Sequence, residues 1–213
     1  MIGMSGIAPT LVFWMAISAL TDSPLKSASD YVSRGMQRFR NNEIAGSVLD
    51  FQQAVALDAR TAPHLWQIGI SHYYLGSFKK GRQQFEDHQN VNRHDVENAA
   101  WHFVCVAQTD GIEAARKSLI KIDTSRDARI PMSEVYQFYA GRGSEDSVMK
   151  AAERVDTELA RMYAHLYLGL YYEVAGKVDQ AREHMRKAAT ARLKKNYMHD
   201  VAKVHMLQRE WNR

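Results

Sequence analysis

Histidine is the residue type that most invites a chemical role, because the chain contains nine of them. His88, His94 and His102 follow one another within fifteen residues, among acidic residues. Imidazole and carboxylate groups bind zinc when one helix face or turn brings them together. No pair has the HExxH form, and His199 and His205 are six residues apart, which places them on different helical faces. We therefore predict solvated or capping histidines and no metal site.

Candidate nucleophiles are equally sparse. Cys105 is the one cysteine, so an internal disulfide and a CxxC zinc site are excluded. It lies in the apolar stretch WHFVCV, whereas a reactive thiol needs an exposed, electropositive setting, so we predict a buried small residue. The chain has no GxSxG elbow and no glycine-rich phosphate loop. We predict a protein that is not an enzyme and uses no cofactor; an enzyme with an unrecognised site is the alternative.

Composition points to an all-α chain. The 213 residues include only four prolines and are 46% hydrophobic, and straight-chain helix formers are common. The net charge of +4 is mild and does not require a nucleic-acid partner. Residues 182–213 hold nine Lys or Arg against three Asp or Glu. No interleaved aromatic residues accompany this charge, so we predict a solvated face and no nucleic-acid binding.

The sequence repeats at intervals of 34 residues. Residues 28–59 align with residues 62–93 at that offset, and residues 162–189 align with the second copy at an offset of 100. Four positions recur in all three copies: Gly35, Gly69 and Gly169; Asn42, Gly76 and Gly176; Ser47, Gly81 and Ala181; and Phe51, Phe85 and Met185.

The recurring positions have a physical interpretation. The first glycine of each copy lies midway along a helix, where a missing side chain lets a second helix approach closely. Seven residues later, Asn or Gly suits the left-handed conformation that ends a helix. In the next helix a small residue and then a large one four positions later share a face that packs back on the first helix. Each copy is therefore predicted to be a pair of packed helices.

This pattern resembles the tetratricopeptide repeat (TPR). AGSVLDFQQAVALDA and KVDQAREHMRKAA are similar to second helices of that repeat, and HLYLGLYYEVAGK is similar to a first helix with its turn. The resemblance is strong for residues 28–93 and 162–189. It implies a right-handed superhelical solenoid of about five helix pairs over residues 28–195, closed by a C-terminal capping helix at 196–213.

The irregular segments carry a narrower resemblance. Two regular repeats, then WHFVCVAQ, VYQFYAG, another regular repeat and YMHDVAKVHM follow an order similar to that of the periplasmic TPR lipoprotein adaptors of enterobacteria. That resemblance implies a non-catalytic scaffold that binds other proteins. The chain departs from those lipoproteins because no cysteine follows its N-terminal apolar run, so it lacks their lipid-attachment residue.

In a TPR solenoid the first helices line a concave groove. Here the groove is predicted to be apolar and aromatic, and therefore suited to a peptide or helix of a protein partner. The residues predicted to line it are Met36, Phe39, Trp66, Ile70, Tyr73, Tyr163, Leu166 and Leu170. Two alternatives stay open: Trp66 and Tyr73 pack between repeats, or the N-terminal segment covers them. A third is a structural subunit of an envelope complex that docks through its N-terminal segment or its convex face.

The N-terminal segment, residues 1–27, is treated as a separate unit. Residues 7–20, IAPTLVFWMAISAL, have the length of a signal-peptide core and are too short to span a bilayer comfortably. No Lys or Arg precedes the run, and no small-x-small site follows it immediately. If the segment is a signal peptide, the protein is exported; if it is a buried or interfacial helix, the protein is cytoplasmic. Membrane contact is expected only through this segment, if it is uncleaved.

Overall fold

The computed structural model describes residues 25–212. They form eleven α-helices and two short 3-10 helices, and no residue in this range belongs to a strand. The α-helices are α1 (Ala28–Arg40), α2 (Ile44–Leu57), α3 (Trp66–Tyr74), α4 (Phe78–His88), α5 (Val96–Asp110), α6 (Ile112–Lys117), α7 (Met132–Tyr139), α8 (Glu145–Val155), α9 (Glu158–Val174), α10 (Val178–Ala189) and α11 (Tyr197–Gln208). The 3-10 helices are Ala59–His64 and Thr124–Arg126. The signal-peptide hypothesis concerns residues 1–27, and its apolar run at residues 7–20 lies outside the described residues.

Successive helices pack against each other as neighbouring pairs. The contacts of α1 with α2, α3 with α4, and α9 with α10 are extensive, and α5 and α7 pack on α6 and α8 in turn. This confirms the predicted all-helical fold of paired helices, with α11 left over at the end.

Glycine permits the close crossing in each regular pair. A Cβ atom built on Gly35 would lie 2.8 Å from the Phe51 ring, and one on Gly69 would lie 2.7 Å from the Phe85 ring. In the third copy, a Cβ on Gly169 would meet Met185 at 3.1 Å. The prediction that a missing side chain allows the large residue of the second helix to pack onto the first is therefore confirmed.

The turns that follow also agree with the repeat. Asn42, Gly76 and Gly176 have φ angles of 66°, 69° and 71°, the left-handed region in which Gly and Asn cost least. Each of these residues is the second one after the end of the first helix of its pair. The same backbone geometry therefore joins three helix pairs that are far apart in the sequence.

Helix α11 joins the two ends of the molecule. It packs on α10 and α9, and it also reaches α1, about 160 residues earlier in the chain. Its residues Val201, Ala202 and Val204 are buried in the larger of two apolar clusters. That cluster runs from Phe39 in α1 to α11, whereas a smaller one lies between α1, α2 and α3.

The helix-crossing glycines make a direct test of this packing. We predict that Gly69→Ala lowers the free energy of unfolding by about 1–3 kcal/mol, because its Cβ atom would overlap the buried Phe85 ring. Gly46→Ala is the matched control, since the nearest atoms to its Cβ belong to the Arg38 side chain, at 3.0 Å, and not to an aromatic ring. Alanine there should be neutral or stabilising by about 0.5–1 kcal/mol. Equal effects of the two substitutions in urea unfolding curves would contradict the close crossing.

Candidate functional site

The residues predicted to line an open groove lie mostly inside the molecule. Six of the eight are buried, and Met36 and Trp66 are half-buried. The six buried residues are Phe39, Ile70, Tyr73, Tyr163, Leu166 and Leu170, all members of the larger apolar cluster. The structure thus brings these residues together. Because most of them are buried, they do not line the open groove that we predicted. The physical reason is α11, which occupies the inner face formed by α1, α3 and α9.

Aromatic rings attach the start of α11 to this inner face. The Tyr197 ring stacks on Phe39, with centroids 5.4 Å apart and planes inclined by 22°. Trp66 meets the same tyrosine edge-on at 5.1 Å. Offset stacked and edge-on geometries are those that aromatic pairs prefer. The predicted capping helix therefore does more than cover the last repeat, because it also packs on the first two pairs.

A buried polar network attaches the other end of α11. The Tyr73 hydroxyl donates a hydrogen bond to the Glu173 carboxylate at 2.7 Å. Arg209 pairs with that carboxylate, and His205 Nε2 lies 3.5 Å from it. Burial opposes the ionisation of Glu173, yet these neighbours outweigh burial and lower its pKa. The network joins α3, α9 and the residue following α11, so it fixes the end of the last helix against α3 and α9.

A cavity of about 130 Å³ remains beneath the inner face. It lies where α3, α4, α5 and α11 meet the turn before α7, and its wall combines aromatic, acidic and amide side chains. The residues lining it are Trp66, Phe85, Asp95, Glu97, Asn98, Trp101, Arg129 and Met198. Among the predicted groove residues, Trp66 is part of this wall and Tyr163 interacts with Glu97 beside it.

One arginine forms ion pairs with three carboxylates at the edge of this cavity. The Arg129 guanidinium lies 2.5 Å from Asp95, 2.6 Å from Asp127 and 2.7 Å from Glu97. Asp95 also begins α5, because its side chain accepts a hydrogen bond from the Glu97 backbone N–H at 3.0 Å. The carboxylates outnumber the guanidinium by two, so the cluster has a formal negative charge.

Glu97 is the most perturbed of these acids. Burial raises its pKa to about 7, Arg129 opposes the rise, and the nearby Asp95 carboxylate adds to it. A carboxyl group that titrates near neutral pH is typical of functional sites, although buried ion-pair networks produce the same effect. The side chain is therefore able to change its charge under ordinary conditions.

Two further polar groups in the wall have no hydrogen-bond partner among the described residues. They are the Asn98 Oδ1 acceptor and the Trp101 Nε1 donor, in side chains that are 3% and 1% exposed. The Asn98 amide nitrogen, in contrast, donates to the Phe85 carbonyl at 2.9 Å. A buried polar atom without a partner costs about 1–3 kcal/mol, so these two atoms favour a polar ligand in the cavity.

No motif in the sequence indicates this cluster. DVE at residues 95–97 and DAR at residues 127–129 supply the charged groups, but thirty residues separate them. Their pairing depends on how the turn after α6 packs against α5. The periodicity of the sequence does not predict this packing.

Two of the histidines predicted to be solvated or capping, His88 and His102, are buried at 5% and 2% exposure. His88 Nδ1 lies 2.8 Å from the Pro63 carbonyl, and His102 Nε2 lies 3.2 Å from Glu86. In residues 25–212 no three His, Cys, Asp or Glu side chains are grouped so as to hold a metal ion. Cys105 is buried as predicted, and burial raises the pKa of its thiol well above the usual range.

Comparison with known proteins adds no relative. No protein family matches the chain, and no curated protein is significantly similar to it. No helix within the described part of the chain combines the length and the apolar character needed to cross a bilayer.

The titration of Glu97 gives a pH-dependent prediction. Its folded pKa of about 7 exceeds the ordinary value of 4.5, so the folded state holds this proton more tightly. Its contribution to stability is therefore complete below pH 4.5 and is lost as the pH rises through 7. Glu97→Gln keeps the neutral form, so its stability relative to the wild type should rise by on the order of 1–3 kcal/mol between pH 5 and 8.

The measurement is the free energy of unfolding in urea at several pH values. Glu113→Gln is the matched control because it removes an exposed carboxylate that pairs only with Arg116 three residues away. If the stability difference between Glu97→Gln and the wild type stays constant from pH 5 to pH 8, burial does not raise the pKa of this carboxyl group.

Proposed function

We propose that the chain is a TPR-type superhelix that acts as a non-catalytic adaptor and binds a peptide or helix of a partner protein on its inner face. Three helix pairs that share one glycine crossing and one left-handed turn support the repeat assignment. Stacked pairs of this kind offer an extended surface for binding. Function in such arrays depends on side chains along that surface.

The seating of α11 is the observation that carries the proposal. Helix α11 already lies on the inner face, held by Tyr197 between Phe39 and Trp66 and by Arg209 on Glu173. Aromatic anchors inside an apolar groove, combined with a buried charge pair, are the features by which grooves recognise helices. This surface therefore has the chemistry required to hold a helix.

The accessible part of the inner face lies between α1 and the start of α11. A depression of about 480 Å³ there is lined by Met36, Arg40, Lys195, Tyr197 and Asp200. Met36 and Tyr197 are half-buried and offer an apolar floor. Two basic residues flank it, and one of them, Arg40, is already paired with Asp200 at 2.9 Å. We propose that this depression receives an apolar anchor of the partner, with an acidic residue near Lys195.

A second candidate function has its own supporting observation. Leu49 and Leu57 on α2 are 61% and 54% exposed, and they are eight residues apart, which places them on about the same side of the helix. Exposed leucines on one side of a helix favour a docking surface there. The chain would then be a structural subunit that docks by its outer side, and α1 and α11 would have no role in binding.

Site-specific photo-crosslinking separates the two candidates. We predict that p-benzoylphenylalanine in place of Met36 forms adducts with a second polypeptide in cells of the source organism, because residue 36 lies in the accessible depression. The same amino acid in place of Leu49 is the matched control and should form none. Adducts only at position 49 would favour the structural subunit. Adducts at neither position would contradict the adaptor role of the inner face.

A further inference from the structure

We propose that the cavity between α3, α5 and α11 binds a primary ammonium group that carries an acceptor oxygen a few bonds away, held by Glu97, Asn98 and Trp101. This chemistry is shared by small amino amides and amino alcohols and by the N-terminal residue of a polypeptide. The cavity has a volume of about 130 Å³, which equals the space of about four water molecules.

The charge of the ligand follows from the ion pairs of Arg129. Its Nε and Nη2 atoms donate to Asp127, Nη2 also donates to Asp95, and Nη1 faces Glu97. The guanidinium is therefore committed to the three carboxylates that surround it and has little capacity for an anion. Because the carboxylates are in excess, an additional cation is attracted to the cavity and an additional anion is repelled.

The hydrogen-bonding groups define the head group further. Asn98 Oδ1 is a buried acceptor without a partner, and the carboxylates of Asp95 and Glu97 line the same cavity. An ammonium group has three N–H donors, which matches these three acceptors. Trp101 Nε1 is a buried donor without a partner, so the ligand must also offer an acceptor oxygen.

The remaining wall suits an organic cation better than a metal ion. Trp66, Phe85 and Trp101 present aromatic rings, and Met198 completes an apolar side. Aromatic faces attract ammonium groups and pack on a carbon stem. An indole N–H donor, in contrast, offers nothing to a bare metal ion, which needs oxygen, nitrogen or sulfur lone pairs. An ammonium group on a short carbon stem therefore matches both the polar and the aromatic part of the wall.

The proposed ligand does not depend on the adaptor function. If the ammonium belongs to a free small molecule, the cavity is an independent binding site. If it belongs to the first residue of a polypeptide, the cavity extends the adaptor surface by recognising a chain terminus. Met36 does not line the cavity, so the outcome of crosslinking at that position and the outcome of ligand binding here are separate results.

Isothermal titration calorimetry of the full chain at pH 7 tests the site with glycinamide as the probe. Glycinamide has the ammonium and the carbonyl oxygen, and propionamide has the same shape with a methyl group in place of the ammonium. We expect saturable binding of glycinamide and none of propionamide. Glu97→Gln and Trp101→Phe should each weaken glycinamide binding by about tenfold or more, since each removes one polar contact of the head group.

Glu145→Gln is the matched control, because Glu145 binds Tyr172 and His184 and does not line the cavity. It should bind glycinamide like the wild type, and thermal unfolding curves should show that all three variants fold. Comparable heats for propionamide, no saturable heat with glycinamide, or equal affinities of Glu97→Gln and Glu145→Gln would each overturn the proposal.

A second titration identifies the source of the ammonium. Gly-Ala-Ala-amide carries the same head group at the start of a peptide. Binding of this tripeptide as tightly as glycinamide would assign the site to polypeptide N-termini, and binding of glycinamide alone would assign it to a free small molecule. Binding of an N-acetylated form as tight as that of the free tripeptide would overturn the requirement for an ammonium group.

Discussion

Helix α11 packs on the first helix pairs and on the last, and the arrangement of the inner face depends on that contact. A row of helix pairs stacked only on its neighbours leaves the inner side of each first helix exposed to water. Here Tyr197 lies between Phe39 and Trp66, so one aromatic residue of the last helix buries rings of both α1 and α3. The hydrophobic gain from covering these rings fixes the position of α11.

The polar interactions of the inner face follow from this position. The carboxylate of Glu173 is buried, which would be costly without partners, and Tyr73, His205 and Arg209 surround it. A hydrogen bond of 2.7 Å from Gln208 to Asn42 links the end of α11 to the first turn. The cavity lined by Glu97, Asn98 and Trp101 remains where the fit between α11 and the inner face is incomplete.

Local features were predictable because each depends on a few nearby residues. The glycine crossings at Gly35, Gly69 and Gly169 and the left-handed turns could be found from spacing alone. Ser144 was also predictable as the start of α8, where its hydroxyl accepts from the Ser147 backbone at 3.1 Å. The burial of α11 was only partly predictable, since both Val204 and Leu207 are apolar but Val204 is buried and Leu207 is 47% exposed.

The arrangement of the inner face was not predictable from the repeat. Periodicity identified Phe39, Trp66 and Tyr73 as residues of one face, but contacts between residues more than a hundred positions apart determine whether that face is open or covered. The same limit applies to the cavity, because Arg129 reaches Asp95 and Glu97 from a turn outside any regular repeat. Contacts between residues far apart in the sequence determine both features, and residue spacing does not predict such contacts.

Native-state hydrogen exchange of the α11 amides tests the seating of this helix most directly. If α11 is part of the same cooperative core as α9, the amides of Val204 and Leu170 should open with the same free energy, equal to that of global unfolding. Exchange of the α11 amides through a local opening several kcal/mol below that of α9 would contradict this structure of the inner face, because α11 would then be a detachable segment.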